Sequence, residues 1–395
     1  MNSPSDGAIA PALPHVVVVG AGYAGCLAAA RLLSLRAPAR VTVIDLNDTF
    51  AERVRHHQVV AGQVVRRWRL EELLPSKVDL LVGRVMGLDP HNQQVTVGVP
   101  SGTQTLAYDY LLLTPGSRVC SAPGSSLSVE DPALPARIQS LPPQARVWVV
   151  GGGLTGVEMA SELAESHPHL KVGLMCSGEV AAAVGAEGRT YIRGVLAQLG
   201  VDLRESCRVD AVHSDHIGLS GGEFLPSDLT LWAAGFEASP LGRQLGLPVE
   251  GLGRVLTSST LQVQGHPNIL AAGDGAALPQ WDGATVRMAC ASAMPGGAFA
   301  AENIVRLLRG ESPLPFRLAL TGTCTSLGRH RGLIQANNSH DVPTAFIITG
   351  RWGAWIKEAI VRLVVQFIRW ESRWKIPLYR WYTPQLKQLA APSPS

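Results

Sequence analysis

The sequence has few cysteines, and they are far apart. Its six cysteines are Cys26, Cys120, Cys176, Cys207, Cys290 and Cys324. None is close enough to another to form a CxxC zinc half-site or a CxxxxC redox disulfide, so the spacing excludes both kinds of site. We therefore expect reduced thiols, mostly in cores, in an intracellular protein.

The sequence also lacks long apolar runs and any excess of charge. No stretch reaches the roughly 18 uninterrupted apolar residues that a membrane-spanning helix needs. Charged residues make up 16% of the 395 residues, and the formal net charge of +3 gives no argument for nucleic-acid binding. Residues 1–14 have neither a basic start nor an apolar stretch, so we predict a flexible arm, no signal peptide and a cytoplasmic location.

A glycine-rich turn near the N-terminus carries the strongest pattern. The β-branched run Val16–Val19 leads into it, an apolar helix follows it, and an acid ends the next strand about 20 residues further on. This arrangement is the dinucleotide-binding fingerprint; the alternative is a glycine-rich turn without a ligand. The predicted contact residues are Gly20, Gly22, Tyr23, Ala24, Gly25 and Asp45.

The same pattern occurs a second time. The strand Arg146–Val150 runs into a second glycine loop, followed by a helix through Leu163 and a strand from Lys171 to Cys176. Each such loop can seat one pyrophosphate, so two units imply two dinucleotides. The predicted contact residues here are Gly151, Gly153, Thr155 and Gly156.

Three further apolar segments end in small-residue turns, which suit a backbone that lies close to a cofactor. These turns carry the predicted contact residues Thr114, Gly116, Gly235, Gly273 and Asp274. A Pro- and Ser-rich stretch, 121–143, marks the entry to a second domain. The predicted organisation is one domain formed by 15–122 and 244–310, a second formed by 123–243, and a C-terminal segment 311–395.

The C-terminal segment differs in character. Strands are predicted within 318–335 and 344–349, and a helix over 351–374. Residues 351–381 contain seven cations and two acids, a net charge of about +5. One helix face holds Trp352, Ile356, Ile360, Leu363, Phe367, Trp370 and Trp374. Two alternatives stay open: an interfacial membrane helix, or a surface helix packed on its own domain or on a second subunit of a homodimer.

With two glycine loops and the late motif Ala272-Gly273-Asp274, the chain resembles the two-dinucleotide flavoprotein reductases. Within that group it is more similar to type II NADH dehydrogenases and apoptosis-inducing-factor-like oxidoreductases. The resemblance implies an α/β fold with two Rossmann-like, three-layer domains, the first discontinuous, plus a C-terminal α+β segment. It assigns FAD to the first loop and Asp274, and NAD(P)H to the second loop. It also places Glu158, in Gly156-Val157-Glu158, beside the nicotinamide, with a surface carboxylate as the alternative.

Two departures from the family pattern limit these implications. The family's quinone site usually has glutamines after the late motif, whereas this chain has Met288–Pro295, so Cys290 and Met294 are candidates for an apolar acceptor pocket. The second unit has Cys176 where the first has Asp45, and Ser177 and Glu179 are the nearest substitutes. No arginine is adjacent to bind a 2′-phosphate, so NADH is only slightly favoured over NADPH.

The resulting hypothesis is a hydride relay from NAD(P)H to FAD, followed by electron transfer to a quinone-type acceptor at the inner face of the cell membrane or in the cytoplasm. Such a relay needs no side-chain nucleophile, because the cofactors carry the chemistry. One alternative is a soluble reductase acting on a quinone-like metabolite or a redox partner protein. Another is a redox-responsive binding protein of the apoptosis-inducing-factor class. His57 is a candidate for contact with the flavin ring, a core or surface histidine being the alternative.

Overall fold

The computed structural model describes residues 13–120, 122–280 and 284–383. Apart from Leu13 and Pro14, the predicted arm 1–14 lies outside the described residues.

In chain order, the strands are β1 (His15–Val19), β2 (Arg40–Asp45), β3 (Thr49–Phe50), β4 (Trp68–Arg69), β5 (Val78–Val82), β6 (Arg84–Asp89), β7 (Gln94–Val99), β8 (Gly102–Ala107), β9 (Tyr110–Leu113), β10 (Ser117–Val119), β11 (Leu127–Ser128), β12 (Arg146–Val150), β13 (Lys171–Met175), β14 (Asp202–Arg204), β15 (Val209–Val212), β16 (His216–Leu219), β17 (Phe224–Pro226), β18 (Leu229–Trp232), β19 (Phe236–Ala238), β20 (Val255–Leu256), β21 (Gln262–Val263), β22 (His266–Ala271), β23 (Ala276–Ala277), β24 (Gly322–Ser326), β25 (Gly332–Asn337) and β26 (Pro343–Thr349).

The α-helices are α1 (Tyr23–Ser34), α2 (His56–Val60), α3 (Leu70–Leu73), α4 (Leu134–Gln139), α5 (Leu154–Ser166), α6 (Ala186–Gln198), α7 (Leu241–Gln244), α8 (Cys290–Leu308) and α9 (Gly350–Trp374). Short 3₁₀ turns occur at Arg53–Arg55 and Gly273–Gly275.

The first domain is built on a six-stranded sheet in the order β21-β22-β9-β1-β2-β5, in which β21 alone runs antiparallel to its neighbour. Val16, Val17 and Val18 of β1 are fully buried, as expected for a parallel strand covered on both faces. Because β22 follows the whole second domain in sequence but pairs with β9, the first domain is discontinuous.

The second domain has a five-stranded parallel sheet in the order β11-β18-β12-β13-β14. The predicted α/β class with two parallel-sheet domains is therefore confirmed. Strand pairing does not test the boundaries drawn at 122, 243 and 310, which stay predictions.

The C-terminal segment forms an antiparallel sheet, β24-β25-β26, followed by the long helix α9. This sheet contacts α5 and α6 of the second domain, while α9 contacts α1 of the first. The segment therefore spans both domains. Within the described ranges, no helix combines the length and the apolar character needed to cross a bilayer.

Two sequence predictions differ from the structure in detail. The sequence 284–308 predicts a helix, but the helix begins only at Cys290. The preceding residues pair instead with an extended segment, in which the Val286 N–H donates to the Leu278 carbonyl at 2.9 Å. In α9, Gly353, Lys357, Val361, Val365 and Ile368 are among the buried residues. The helix thus packs on the protein through a different face from the tryptophan-bearing one.

Candidate functional site

The first glycine loop joins β1 to α1. Gly20 has φ of +98°, and an added Cβ there would press on the Thr114 carbonyl, so glycine is required on conformational and steric grounds. A Cβ on Gly25 would collide with the Gly20 carbonyl oxygen. By contrast, a Cβ on Gly22 would meet nothing within 4 Å. The protein therefore leaves open space at the position where the fingerprint needs a pyrophosphate to approach.

Asp45 is placed by this loop. Its Oδ2 accepts from the Ala21 N–H at 2.7 Å, and its Oδ1 accepts from the Asn47 N–H at 3.0 Å. The carboxylate therefore stands at the loop, where a ribose diol would lie. Tyr23 and Ala24 are buried in the first turn of α1, and the Tyr23 ring packs edge-on against Phe50 at 5.0 Å. Their side chains belong to the core, which leaves main-chain contact as their predicted role.

The second loop repeats this geometry between β12 and α5. Gly151 has φ of +130°, a Cβ on Gly156 would collide with the Gly151 carbonyl oxygen, and a Cβ on Gly153 would meet nothing within 4 Å. Thr155 lies in the first turn of α5 and is partly exposed. This loop also has room for a phosphate.

The end of β13 differs from the end of β2. Cys176 is buried there, and its thiol donates to the Gly178 carbonyl at 3.1 Å. Glu179 contacts Arg189 and Arg193 of α6, each at 3.4 Å. The structure thus brings to this position two arginines that are not adjacent in sequence.

One carboxylate oxygen of Asp274 is buried without a hydrogen-bond partner. Its Oδ2 accepts from the Ser117 hydroxyl at 2.8 Å, whereas Oδ1 is buried without a hydrogen-bond partner. Burial raises the pKa of Asp274. An orphaned buried oxygen beside a glycine loop fits a hydroxyl donor such as a ribityl chain, so the residues present fit FAD.

The two loops are connected through their turns. β10 follows Thr114-Pro115-Gly116, β19 follows Ala233-Ala234-Gly235, and these two strands pair as an antiparallel ribbon. The Cys120 N–H donates to the Gly235 carbonyl at 3.1 Å, and the Ser239 N–H donates to the Gly116 carbonyl at 3.0 Å. The predicted residues Thr114, Gly116, Gly235 and Asp274 therefore lie in one region between the domains.

Glu158 lies on α5 and is not a surface carboxylate. Its Oε1 accepts from the ammonium of Lys357 on α9 and from the Ser326 N–H at 3.0 Å, with the Thr325 hydroxyl at 3.4 Å. Lys357 is buried, and burial lowers its pKa to about 7. Three chain segments thus meet at this carboxylate.

His57 and Glu162 extend this cluster. His57 Nδ1 lies 3.6 Å from Glu158 Oε2, and His57 Nε2 lies 3.9 Å from Glu162 Oε2. Burial lowers the pKa of His57 well below 6.5 and raises that of Glu162 to about 7. At neutral pH these contacts therefore join a neutral imidazole to a carboxyl group that is partly protonated.

Sequence reasoning singled out Glu158 and His57 but missed Lys357 and Glu162. By sequence, Lys357 is counted only among the cations of the C-terminal helix, and Glu162 is assigned no role. The spacing in the sequence could have identified Glu162, because Glu158 and Glu162 are one turn apart and share a face of α5. Of the acceptor-pocket candidates, Met294 is buried in the core, while Cys290 begins α8 and is partly exposed.

Comparison with known proteins agrees with the predicted resemblance to two-dinucleotide reductases. The family model described as pyridine nucleotide-disulphide oxidoreductase matches residues 14–294. A demethylphylloquinone reductase from Synechocystis is 28% identical over 348 residues, covering 80% of this chain and 85% of that protein. An NADH dehydrogenase-like protein from Mycobacterium tuberculosis is 31% identical over 353 residues, covering 80% and 86%.

A solved structure of NDH2 from Plasmodium falciparum in complex with NADH superposes with a TM-score of 0.77 at 14% identity. The match covers 92% of this chain and 96% of that one, and this likeness concerns the fold. The resemblance to two-dinucleotide reductases is thus confirmed, although all six cysteines of this chain are free. The chain belongs to the pyridine nucleotide-disulphide oxidoreductase family.

Proposed function

We propose that this protein is an FAD-containing NAD(P)H oxidoreductase whose electron acceptor is a quinone. The observation that carries the proposal is the pair of glycine loops with open space for a phosphate, joined by one ribbon next to Asp274. The names of the relatives, one a demethylphylloquinone reductase, support a quinone as acceptor.

The two glycine loops and Asp274 have separate roles in this proposal. Gly20, Gly22, Gly25 and Asp45 hold the FAD phosphates and ribose, and Asp274 accepts from the ribityl chain. The second loop, with Gly151, Gly153 and Gly156, holds NAD(P)H. FAD, when bound, takes a hydride from NAD(P)H and passes two electrons to the acceptor.

Glu158 positions the nicotinamide. Its carboxylate is fixed by Lys357 and the Ser326 N–H, so it presents one orientation to the region between the two loops. A fixed carboxylate can accept a hydrogen bond from the carboxamide of the nicotinamide and hold the ring for transfer.

The C-terminal helix brings the protein to a membrane surface. Trp352 is 72% exposed and Trp355 is 65% exposed, and Ile360, Leu363 and Trp374 are exposed on the same helix. Arg351, Arg362 and Arg373 recur every three turns along one flank of this apolar face, and all three are exposed. Exposed tryptophans beside a row of cations suit the interface of a membrane with anionic lipids, where a long-chain quinone resides.

Anaerobic titration tests the proposal. The purified protein is expected to be yellow, and NADH or NADPH should bleach the flavin absorption. Adding a quinone should restore the colour and produce the quinol. A purified protein that retains no FAD, or whose flavin fails to bleach with either nicotinamide, would contradict the proposal.

A further inference from the structure

A cavity lies where the second domain meets the C-terminal segment, and no residue of either glycine loop lines it. Its volume is about 530 Å³, within the range of about 300–1,000 Å³ that is usual for small-molecule sites. Three elements form its walls: α6, the turn between β24 and β25, and the first turn of α9. The polar side chains that line it belong to Tyr191, Gln198, His330, Arg331 and Arg351.

We propose that this cavity binds a phosphate group, as carried by the headgroup of an anionic lipid. The inference goes beyond the proposed function, because it depends on neither FAD nor the electron acceptor.

The charge of the cavity has one sign. Two arginines and a histidine line it, and among the described residues no acidic side chain does. Within the same part of the chain, Arg331 and Arg351 form no ion pair, whereas Arg189 and Arg193 of α6 are both paired with glutamates. The two cavity arginines therefore lack a counter-charge, which a bound anion would supply.

The backbone holds these two arginines next to each other. Gly332 and Gly350 form an antiparallel bridge, and Arg331 and Arg351 are the next residues beyond it on the two sides. Like charges at such opposed positions repel each other. A Cβ on Gly332 would collide with the backbone of α9, and a Cβ on Gly353 would collide with the Gly332 carbonyl. Close backbone packing therefore imposes this arrangement on the arginines.

The donors in the cavity suit a phosphate. A guanidinium group can donate two parallel hydrogen bonds to phosphate oxygens, so two of them can hold a doubly charged group. The Tyr191 hydroxyl accepts from the Gly350 N–H at 2.9 Å, which leaves its own proton for a ligand. The Gln198 amide adds a neutral donor on the same side as Tyr191, since both belong to α6.

The neighbouring surface favours a lipid as the source of the phosphate. Trp352 directly follows Arg351 and is 72% exposed, and Trp355 is 65% exposed. Exposed tryptophans settle at the depth of lipid headgroups, which would bring lipid phosphates to the mouth of the cavity. A soluble phosphate compound offers the same group, so the two sources need separate assays.

Titration calorimetry tests the cavity without a membrane. The probes are inorganic phosphate and glycerol 3-phosphate, which carries the headgroup phosphate of phosphatidic acid. The wild type should bind both, and Arg331→Gln and Arg351→Gln should each weaken binding by about 10-fold. The matched control is Arg373→Gln, which removes an exposed arginine of α9 outside the cavity and should bind like the wild type.

Co-sedimentation with vesicles then identifies the source. Phosphatidylcholine vesicles receive either phosphatidic acid or, at equal surface charge, oleic acid, which has a carboxylate but no phosphate. The wild type and Arg373→Gln should prefer phosphatidic acid, and both cavity variants should lose this preference. Tight binding of free phosphate without a vesicle preference would instead identify a soluble phosphate compound. No binding of a phosphate-bearing probe in either assay, or wild-type binding by both cavity variants, would overturn the site.

Melting temperatures separate a binding role from a structural one. Without phosphate, each cavity variant removes a repulsion between like charges, so it should melt at or above the temperature of the wild type. Added phosphate should raise the melting temperature of the wild type more than that of either variant. Lower melting temperatures with unchanged phosphate binding would show that the arginines support the fold instead. If no protein binds any vesicle, the proposed membrane contact fails, while the calorimetry still decides whether the cavity holds phosphate.

Discussion

Two carboxylates one turn apart on α5 have very different surroundings. Glu158 is paired with a buried ammonium and accepts a backbone N–H, both of which stabilise a negative charge. Glu162 has an amide, a neutral imidazole and a more distant guanidinium. Burial therefore dominates at Glu162 and raises its pKa to about 7.

This pKa makes Glu162 a source of pH-dependent stability. Between about pH 4.5 and 7 the folded protein holds the proton more tightly than the unfolded chain, so the contribution of Glu162 to stability falls as pH rises. Above about pH 7 Glu162 is ionised in the folded protein, and burying its charge lowers the free energy of unfolding by roughly 3 kcal/mol. Glu162→Gln should therefore unfold at higher denaturant concentration than the wild type at about pH 8.

The same comparison at the acid end is the control. Near pH 4.5 the wild-type carboxyl is protonated in the folded state, so the difference between the two proteins should nearly vanish. A difference in denaturant midpoint that does not change with pH would contradict the assignment of the proton to Glu162.

Two glycines of the first loop allow packing and cofactor binding to be tested separately. Gly25→Ala places a methyl group against the Gly20 carbonyl and should destabilise the protein by about 3 kcal/mol or more. Gly22→Ala places its methyl in open space, so thermal stability without cofactor should be preserved while FAD is lost on purification. Melting temperature and flavin content per chain measure the two effects. A stable, yellow Gly22→Ala protein would argue against a pyrophosphate at this loop.

At the scale of elements, α9 has three faces rather than two. One packs on the protein and includes Val361, Val365 and Ile368, another carries exposed arginines, and the remaining one carries exposed aromatic residues. Thus one apolar face of the helix is buried against the protein, and a second apolar face stays exposed. The structure places Lys357 on the buried face, where it completes the Glu158 site.

This uncovered face predicts a selective membrane defect. Replacing both Trp352 and Trp355 by serine should weaken binding to vesicles that contain anionic lipid by about 10²-fold, at about 1.5 kcal/mol or more for each buried side chain. The melting temperature should not change, because both side chains are exposed. Co-sedimentation with vesicles measures the binding.

Phe346 on β26 is the matched control, since it is 63% exposed but lies outside the helix. Phe346→Ser should bind vesicles like the wild type. If the double tryptophan variant binds vesicles normally and instead changes elution volume, this face is a subunit interface.

At the scale of the whole molecule, one arginine ties together three distant segments. Arg31 of α1 is fully buried and bonded to Glu371 of α9 and Glu302 of α8, and it donates to the Tyr379 carbonyl at 2.8 Å. Glu371 also accepts from the N–H groups of Leu378 and Tyr379. This buried cluster holds the C-terminal helix on the first domain and so keeps Lys357 at Glu158.

Breaking this cluster should be costly. Glu371→Gln leaves Arg31 buried with one carboxylate fewer and should reduce the free energy of unfolding by about 3 kcal/mol. It should also lower activity, because α9 no longer holds Lys357 firmly. Denaturant unfolding and steady-state quinone reduction measure the two effects.

The exposed pair of Arg66 and Glu72 provides the control for this prediction. The Arg66 side chain is 59% exposed and that of Glu72 38%. Glutamine keeps an oxygen that can accept from the Arg69 N–H, so Glu72→Gln should leave stability and activity nearly unchanged. Equal stability of Glu371→Gln and the wild type would show that Arg31 finds another partner when α9 changes.

The sequence by itself determined the two nucleotide-binding units. Gly25 must approach Gly20, and Gly156 must approach Gly151, five residues earlier in the chain, and such short-range steric demands leave a fixed spacing in the sequence. The buried valines of β1 likewise reveal a parallel strand. The discontinuous first domain followed only from the family resemblance, because strand spacing does not say which strands pair.

The tertiary structure decided the rest. Lys357 meets Glu158, and His57 meets Glu162, across long sequence separations. These contacts leave no local pattern in the sequence, because they form only when packing brings distant segments together. The sequence also does not show which face of α9 is buried. It has one strongly apolar face, yet the fold buries another that includes a lysine and a glutamate. Burial of those two charges depends on Glu158 and Arg31, which only the folded chain brings to them.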